Sequence, residues 1–132
     1  MNESYMGTSE QLCRLKVLIV EDDFINMEFL VEILRLYVAE LFRATNGQEA
    51  IDMTLNQSSS IDLILMDIKM PFMDGFEATN TIRQHGLNIP IIAQTAYATE
   101  FDKKRILQAG FDGYISKPID EKLLIQTILN VL

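Results

Sequence analysis

The chain of 132 residues has one cysteine, one histidine, three prolines and no tryptophan. A single Cys13 cannot close an intramolecular disulfide, so the fold must be held by packing, and Cys13 reads as a plain reduced thiol. No apolar run approaches the ~20 residues that cross a bilayer, and no leader-like segment opens the chain, which predicts a cytoplasmic domain without a membrane span. Basic residues are scarce as well: 11 Lys and Arg stand against 19 Asp and Glu, a net charge of −8. Phosphate backbones are held by clustered cations, so this balance argues against direct nucleic-acid binding. The one basic run, Lys103-Lys104-Arg105, follows Glu100 and Asp102 and reads as a solvated helix face.

What is present is a 48% hydrophobic content, enough for one domain with one real core. Residues 1–12 are polar, without helical or strand period, and are expected to form a flexible tail ahead of a domain over 13–132. Short apolar runs then alternate with helical patterns. Leu15 to Val20 reads as a strand, followed by a helix from about Ile25 to Tyr37 whose buried stripe is Phe29, Leu30, Ile33, Leu34 and Tyr37. A weaker strand, Val38 to Thr45, leads through a capping-box-like Asn46-Gly-Gln-Glu49 into a second helix. Leu63 to Met66 is a buried strand ending in Asp67, and Asp74-Gly-Phe-Glu77 caps a third helix that His85-Gly86 closes. Pro90 to Gln94 delivers Thr95, and a fourth helix runs from Thr99 to Ala109-Gly110. Gly113 to Ser116 delivers Lys117-Pro118, a candidate cis junction, and Asp120 caps a last helix with Leu123, Leu124, Ile128 and Leu129 facing inward.

Five βα units in succession predict an α/β fold: a doubly wound, five-stranded parallel sheet of order 2-1-3-4-5, flavodoxin-like, with helices on both faces. Ligands of such sheets bind beyond the carboxyl ends of the strands, at the switch between the first and third. Glu21, Asp22 and Asp67 would meet there. Like charges ~4 Å apart repel by ~4 kcal/mol at an effective dielectric near 20, so the cluster calls for a cation or a shared proton. An all-oxygen acidic site with room for water suits Mg²⁺. Asp23 simply favours the positive end of the following helix. Lys117 offers an ammonium and Thr95 a hydroxyl in the same crevice, while His85 falls at the far end of the sheet and the methionines read as packing.

The segments Val-Leu-Ile-Val-Glu-Asp-Asp23, Leu-Ile-Leu-Met-Asp-Ile-Lys-Met-Pro-Phe-Met-Asp-Gly75, Ile-Ile-Ala-Gln-Thr-Ala96 and Gly-Tyr-Ile-Ser-Lys-Pro118 stand in order. Together they resemble the response-regulator receiver domain of two-component signalling, over Lys16 to Leu132. The resemblance implies that Asp67 accepts a phosphoryl group from the phosphohistidine of a sensor histidine kinase or histidine phosphotransfer protein. It implies direct Mg²⁺ ligation by Asp22 and Asp67, with Glu21 acting through water and the Lys69 backbone carbonyl completing the protein ligands. Lys117 and Thr95 would contact phosphoryl oxygens, and Tyr114 would turn inward as Thr95 moves, reshaping the surface of the fourth helix, fifth strand and fifth helix for a downstream protein target. Lys69 and Tyr97 occupy positions that in the family govern water access to the acyl phosphate. Phe76-Glu-Ala-Thr79 and Tyr-Ile-Ser-Lys-Pro-Ile119 are similar to receivers of hybrid histidine kinases and to stand-alone regulators.

Two other readings stand beside this one. An aspartate-nucleophile phosphohydrolase shares the strand-end Asp, Mg²⁺, Thr and Lys, but usually places a second Asp two residues after the nucleophile, where this chain has Lys69. A receiver degenerated into a docking module would lack the acceptor or a metal carboxylate, and none is missing.

Overall fold

Strand residues in this chain point alternately into two different apolar layers, and that alternation sets the architecture. The computed structural model describes residues 10–57, 60–96 and 99–132. Its elements are β1 (Lys16–Val20), α1 (Phe24–Leu34), β2 (Glu40–Ala44), α2 (Gly47–Asn56), β3 (Leu63–Asp67), α3 (Gly75–Gln84), β4 (Ile91–Thr95), α4 (Glu100–Gln108), β5 (Gly113–Ser116) and α5 (Glu121–Val131). The strands form one parallel sheet of order β2-β1-β3-β4-β5. Val17, Ile19, Leu63, Leu65, Ile92 and Ile115 pack with α1 and α5. Leu18, Val20, Ile64, Met66, Ile91 and Ala93 pack with α2, α3 and α4 on the other face. With both faces covered, β3 is buried from end to end, so its apolar residues run unbroken up to Asp67.

Helix starts follow local chemistry. Asp23, Asn46, Asp74, Thr99 and Asp120 each accept a hydrogen bond from the backbone N–H three residues on. Glu49 departs from a reciprocal box: its carboxylate accepts from the backbone N–H and hydroxyl of Thr45 rather than from Asn46. Those two bonds hold it below the ordinary carboxylate range. Gly86, with φ of 79°, follows the His85 C-cap of α3 in the left-handed region that glycine tolerates.

Several expectations are corrected. Phe29 is 45% exposed, and the buried face of α1 is Met27, Leu30, Val31, Ile33 and Leu34. That helix stops at Leu34, so Tyr37 lies beyond it, half-buried, with its hydroxyl donating to Glu121 over 2.7 Å. Leu123 is 61% exposed, whereas Leu124 and Ile128 are buried. Leu12, assigned to the tail, is fully buried in the core that includes Leu15; residues 1–9 lie outside the described residues. The second strand is shorter than expected, because Val38 N–H still bonds back to Leu34 and Ala39 N–H to Leu15. Among the described residues no helix is long and apolar enough to cross a membrane.

Candidate functional site

β1 and β3 are neighbours in register, Val20 beside Met66, so the residues that follow them emerge together at the carboxyl edge. Glu21 and Asp67 are 1% and 2% exposed, while Asp22 is exposed. One carboxylate oxygen from each of the three lies within 4.8 Å of the others. Lys117 reaches in from the end of β5, its Nζ 3.2 Å from Asp67 Oδ1 and 3.4 Å from Glu21 Oε1. The Lys117–Pro118 bond is cis. The backbone N–H of Lys69 donates to Asp67 Oδ1 at 3.3 Å.

Glu21 is held on every side. Asp23 N–H donates to its Oε2 at 3.1 Å, and the Asn26 amide donates to its Oε1. Asn26 was not anticipated from sequence, where it is one more polar residue of a helix's first turn; only its position above Glu21 gives it a role. Gly75 sits where the chain folds back onto β3: a Cβ there would lie 2.4 Å from the Asp67 carbonyl oxygen. Only glycine fits, and its N–H donates to Ile68 at 2.8 Å.

Three carboxylates against one ammonium leave the site with excess negative charge. Burial pushes the Asp67 carboxyl up to about 7 from 3.8; the charge of Glu21 adds to this and that of Lys117 opposes it. Burial disfavours the Lys117 ammonium, but the charges of Asp67 and Glu21 outweigh that and raise its pKa. A hard cation on the three carboxylate oxygens would relieve the repulsion, and the all-oxygen donor set fits such an ion.

The cluster opens into a cavity of about 560 Å³ whose lining includes Asp67, Lys69, Thr95, Lys117 and, on the outer wall, Phe76 and Arg105. The Arg105 guanidinium stacks 4.1 Å from the Phe76 ring centre, and Phe76 meets Phe111 edge-on at 5.8 Å. Arg105, read from sequence as merely solvated, therefore also packs. Tyr114 is half-buried on β5, with Lys103 Nζ 5.7 Å from its ring centre. The geometry brings Glu21, Asp22, Asp67, Lys69, Thr95 and Lys117 together around the cavity, leaves Tyr114 out of its lining, and keeps exposed His85 at the end of α3. Tyr97 lies outside the described residues.

Residues 17–129 match the family model for the response regulator receiver domain. The chain is 41% identical over 118 residues to the polar-differentiation response regulator DivK of Brucella anthropi, covering 88% of this chain and 94% of that protein. It is 39% identical over 128 residues to hybrid signal transduction histidine kinase I of Dictyostelium discoideum, covering 92% of this chain; it spans only 7% of that kinase's length. Among solved structures, the CheX-CheY-BeF3-Mg²⁺ complex of Borrelia burgdorferi aligns with a TM-score of 0.85 at 26% identity, covering 94% of this chain and 97% of that one.

Proposed function

Given that this chain belongs to the response regulator receiver family, a family of phosphoacceptor switches in two-component signalling rather than conventional enzymes, we propose that Asp67 is its phosphoacceptor. The observation that carries this is a buried carboxylate at the end of β3, within hydrogen-bond reach of Lys117 and beside two further acids. In the transfer, one Asp67 oxygen forms the new O–P bond as the P–N bond of a donor phosphohistidine breaks. The electron pair returns to the imidazole nitrogen.

Asp22, Asp67, the Lys69 carbonyl and, through water, Glu21 are the residues that would hold Mg²⁺. When bound, Mg²⁺ supplies positive charge that neutralises the carboxylates and the incoming phosphoryl oxygens. The Lys117 ammonium supplies the protein's own share of that charge. Thr95 donates its hydroxyl to a phosphoryl oxygen, and Tyr114 turns inward behind it, changing the surface of α4, β5 and α5 that a downstream protein reads. A 1:99 to 99:1 shift needs ~5.5 kcal/mol of differential stabilisation, within reach of a charge-assisted phosphoryl network. Lys69 and Tyr97 set water access to the acyl phosphate.

The donor is a sensor histidine kinase or a histidine phosphotransfer protein in the cytoplasm. Phe24, Ile25 and Phe72, all exposed, lie in the segments that follow Asp22 and Asp67 and support a protein donor rather than a small molecule alone. A phosphohydrolase reading is disfavoured by exposed Lys69 in place of a second acid.

Intact-mass measurement after incubation with acetyl phosphate tests the reading. The expected result is one Mg²⁺-dependent gain of about 80 Da, a phosphoryl group, absent with EDTA and in Asp67→Ala. A folded wild-type protein that gains no mass sinks it, and rapid multiple turnover of the donor would point to hydrolysis instead.

A further inference from the structure

Gln94 is the residue on this sheet whose chemistry remains unexplained. It is fully buried in β4, directly beside Asp67 in register. By the strand alternation it faces the α1 and α5 side together with Asp67, where Leu65 and Ile92 on the same strands are apolar. Its Nε2 donates a long hydrogen bond of 3.5 Å to the carbonyl of Val20 on β1, so the side chain reaches past β3 beneath the carboxylates. Reversing the amide would set oxygen against oxygen there. The Oε1 that this orientation leaves over has no hydrogen-bond partner among the described residues, although Gln94 contributes to the lining of the cavity. A buried carbonyl without a donor is a net cost to the fold, and a leucine would fill the same space without it.

The missing donor is at hand. β4 lies between β3 and β5, so the Lys117 side chain, leaving the end of β5 for Asp67, crosses the end of β4. Its ammonium carries three N–H donors and makes two long contacts, 3.2 Å to Asp67 and 3.4 Å to Glu21, where charge-assisted bonds usually run ~2.7–2.9 Å. We propose that Gln94 is a positioning residue for Lys117: its buried Oε1 receives the ammonium when Asp67 and Glu21 become engaged with a cation and a phosphoryl group. The inference rests on the phosphoacceptor reading of Asp67. Gln94 touches no phosphoryl oxygen; it holds the cation that does.

The test compares wild type, Gln94→Met, Lys117→Ala and the double variant in the full chain. Gln94→Met keeps length and volume and removes both polar atoms; Gln94→Leu serves if the methionine variant does not fold. Gln94→Met is expected to unfold at the same or higher denaturant concentration, to bind Mg²⁺ within twofold of wild type by calorimetry, and to take phosphoryl from acetyl phosphate about 10-fold more slowly. In the Lys117→Ala background the same substitution should change the rate by less than twofold. The Gln94 side-chain amide resonances should shift when wild type is loaded with Mg²⁺ and beryllofluoride, and not in Lys117→Ala. A wild-type rate in Gln94→Met, or an equal slowing with and without Lys117, overturns the positioning role while leaving Asp67's intact. A wild-type protein that never gains phosphoryl overturns the underlying reading instead.

Discussion

A carboxylate pushed up to about 7 alters how the fold answers to pH. Between the ordinary value of 3.8 and about 7, folded Asp67 keeps a proton that the unfolded chain has already lost. Stability contributed by that proton is fully present below the lower value and falls as pH rises to the upper one. Asp67→Asn removes the liability. In EDTA, the variant should be more stable than wild type by about 1–3 kcal/mol at pH 8, a figure discounted from the full linkage value for a site open to solvent on one side. The gain should shrink towards pH 4. Urea denaturation at the two pH values measures it, and an advantage independent of pH would mean that burial of charge is not its cause. On the proposed metal site, where only wild type keeps all three carboxylates, Mg²⁺ should offset most or all of that advantage: at 100 times its Kd a bound ion adds about 2.7 kcal/mol.

Among the elements, α3 shows how the end of the sheet away from the site is fastened. Arg83, in its last turn, donates to the carbonyls of Gly110, Leu87 and Ile89 at 3.0, 3.0 and 2.8 Å and pairs with Asp112 at 2.9 Å. Asp112 also accepts from Ile91 N–H at 2.8 Å, so one guanidinium ties α3 to the entries of β4 and β5. The pair is partly exposed and worth little by itself; the cost of losing Arg83 lies in the three carbonyls, all of them in turns and loops. Arg83→Ala should lower stability by about 2–4 kcal/mol and leave the rate of phosphorylation by acetyl phosphate unchanged at temperatures where the variant is folded. A matching loss of rate would show that this end of the sheet communicates with Asp67. The amphipathic stripes were less legible than the caps. In α1 positions 30, 33 and 34 belong to any buried stripe, and whether Phe29 or Met27 and Val31 completes it depends on how the helix is rolled against the sheet. Leu123, the third residue of α5, was misplaced for the same reason.

At the scale of the whole molecule, two apolar layers share a single sheet. Leu65 belongs to the α1 and α5 layer and Ile64, its neighbour in β3, to the other, and both are fully buried. Truncating either to alanine should therefore shift one common unfolding transition, each by about 2–4 kcal/mol, as followed by circular dichroism and by Tyr fluorescence. Two separated transitions would show that the layers fold independently. The shared strand matters for function as well, because Asp67 extends directly from residues anchored on both faces. A rigid base of that kind would hold the proposed acceptor Asp67 in place.

The sequence by itself determined the order of strands and helices, the caps at Asn46, Asp74 and Asp120, and the identity of the acids, lysine and threonine at the strand ends. These follow from local rules: apolar period, side-chain oxygens ahead of helices, and a parallel topology that delivers every strand end to one edge. Tertiary structure decided what local rules leave open. It chose Val31 over Phe29, left Leu123 exposed, placed Gly75 against the Asp67 carbonyl, drew Leu12 into the core, buried Glu21 under Asn26 while leaving Asp22 exposed, and buried Gln94 with an oxygen unpaired among the described residues. Each of these depends on the angle at which a helix or side chain meets a neighbour far away in the chain, and no spacing within a segment records that angle.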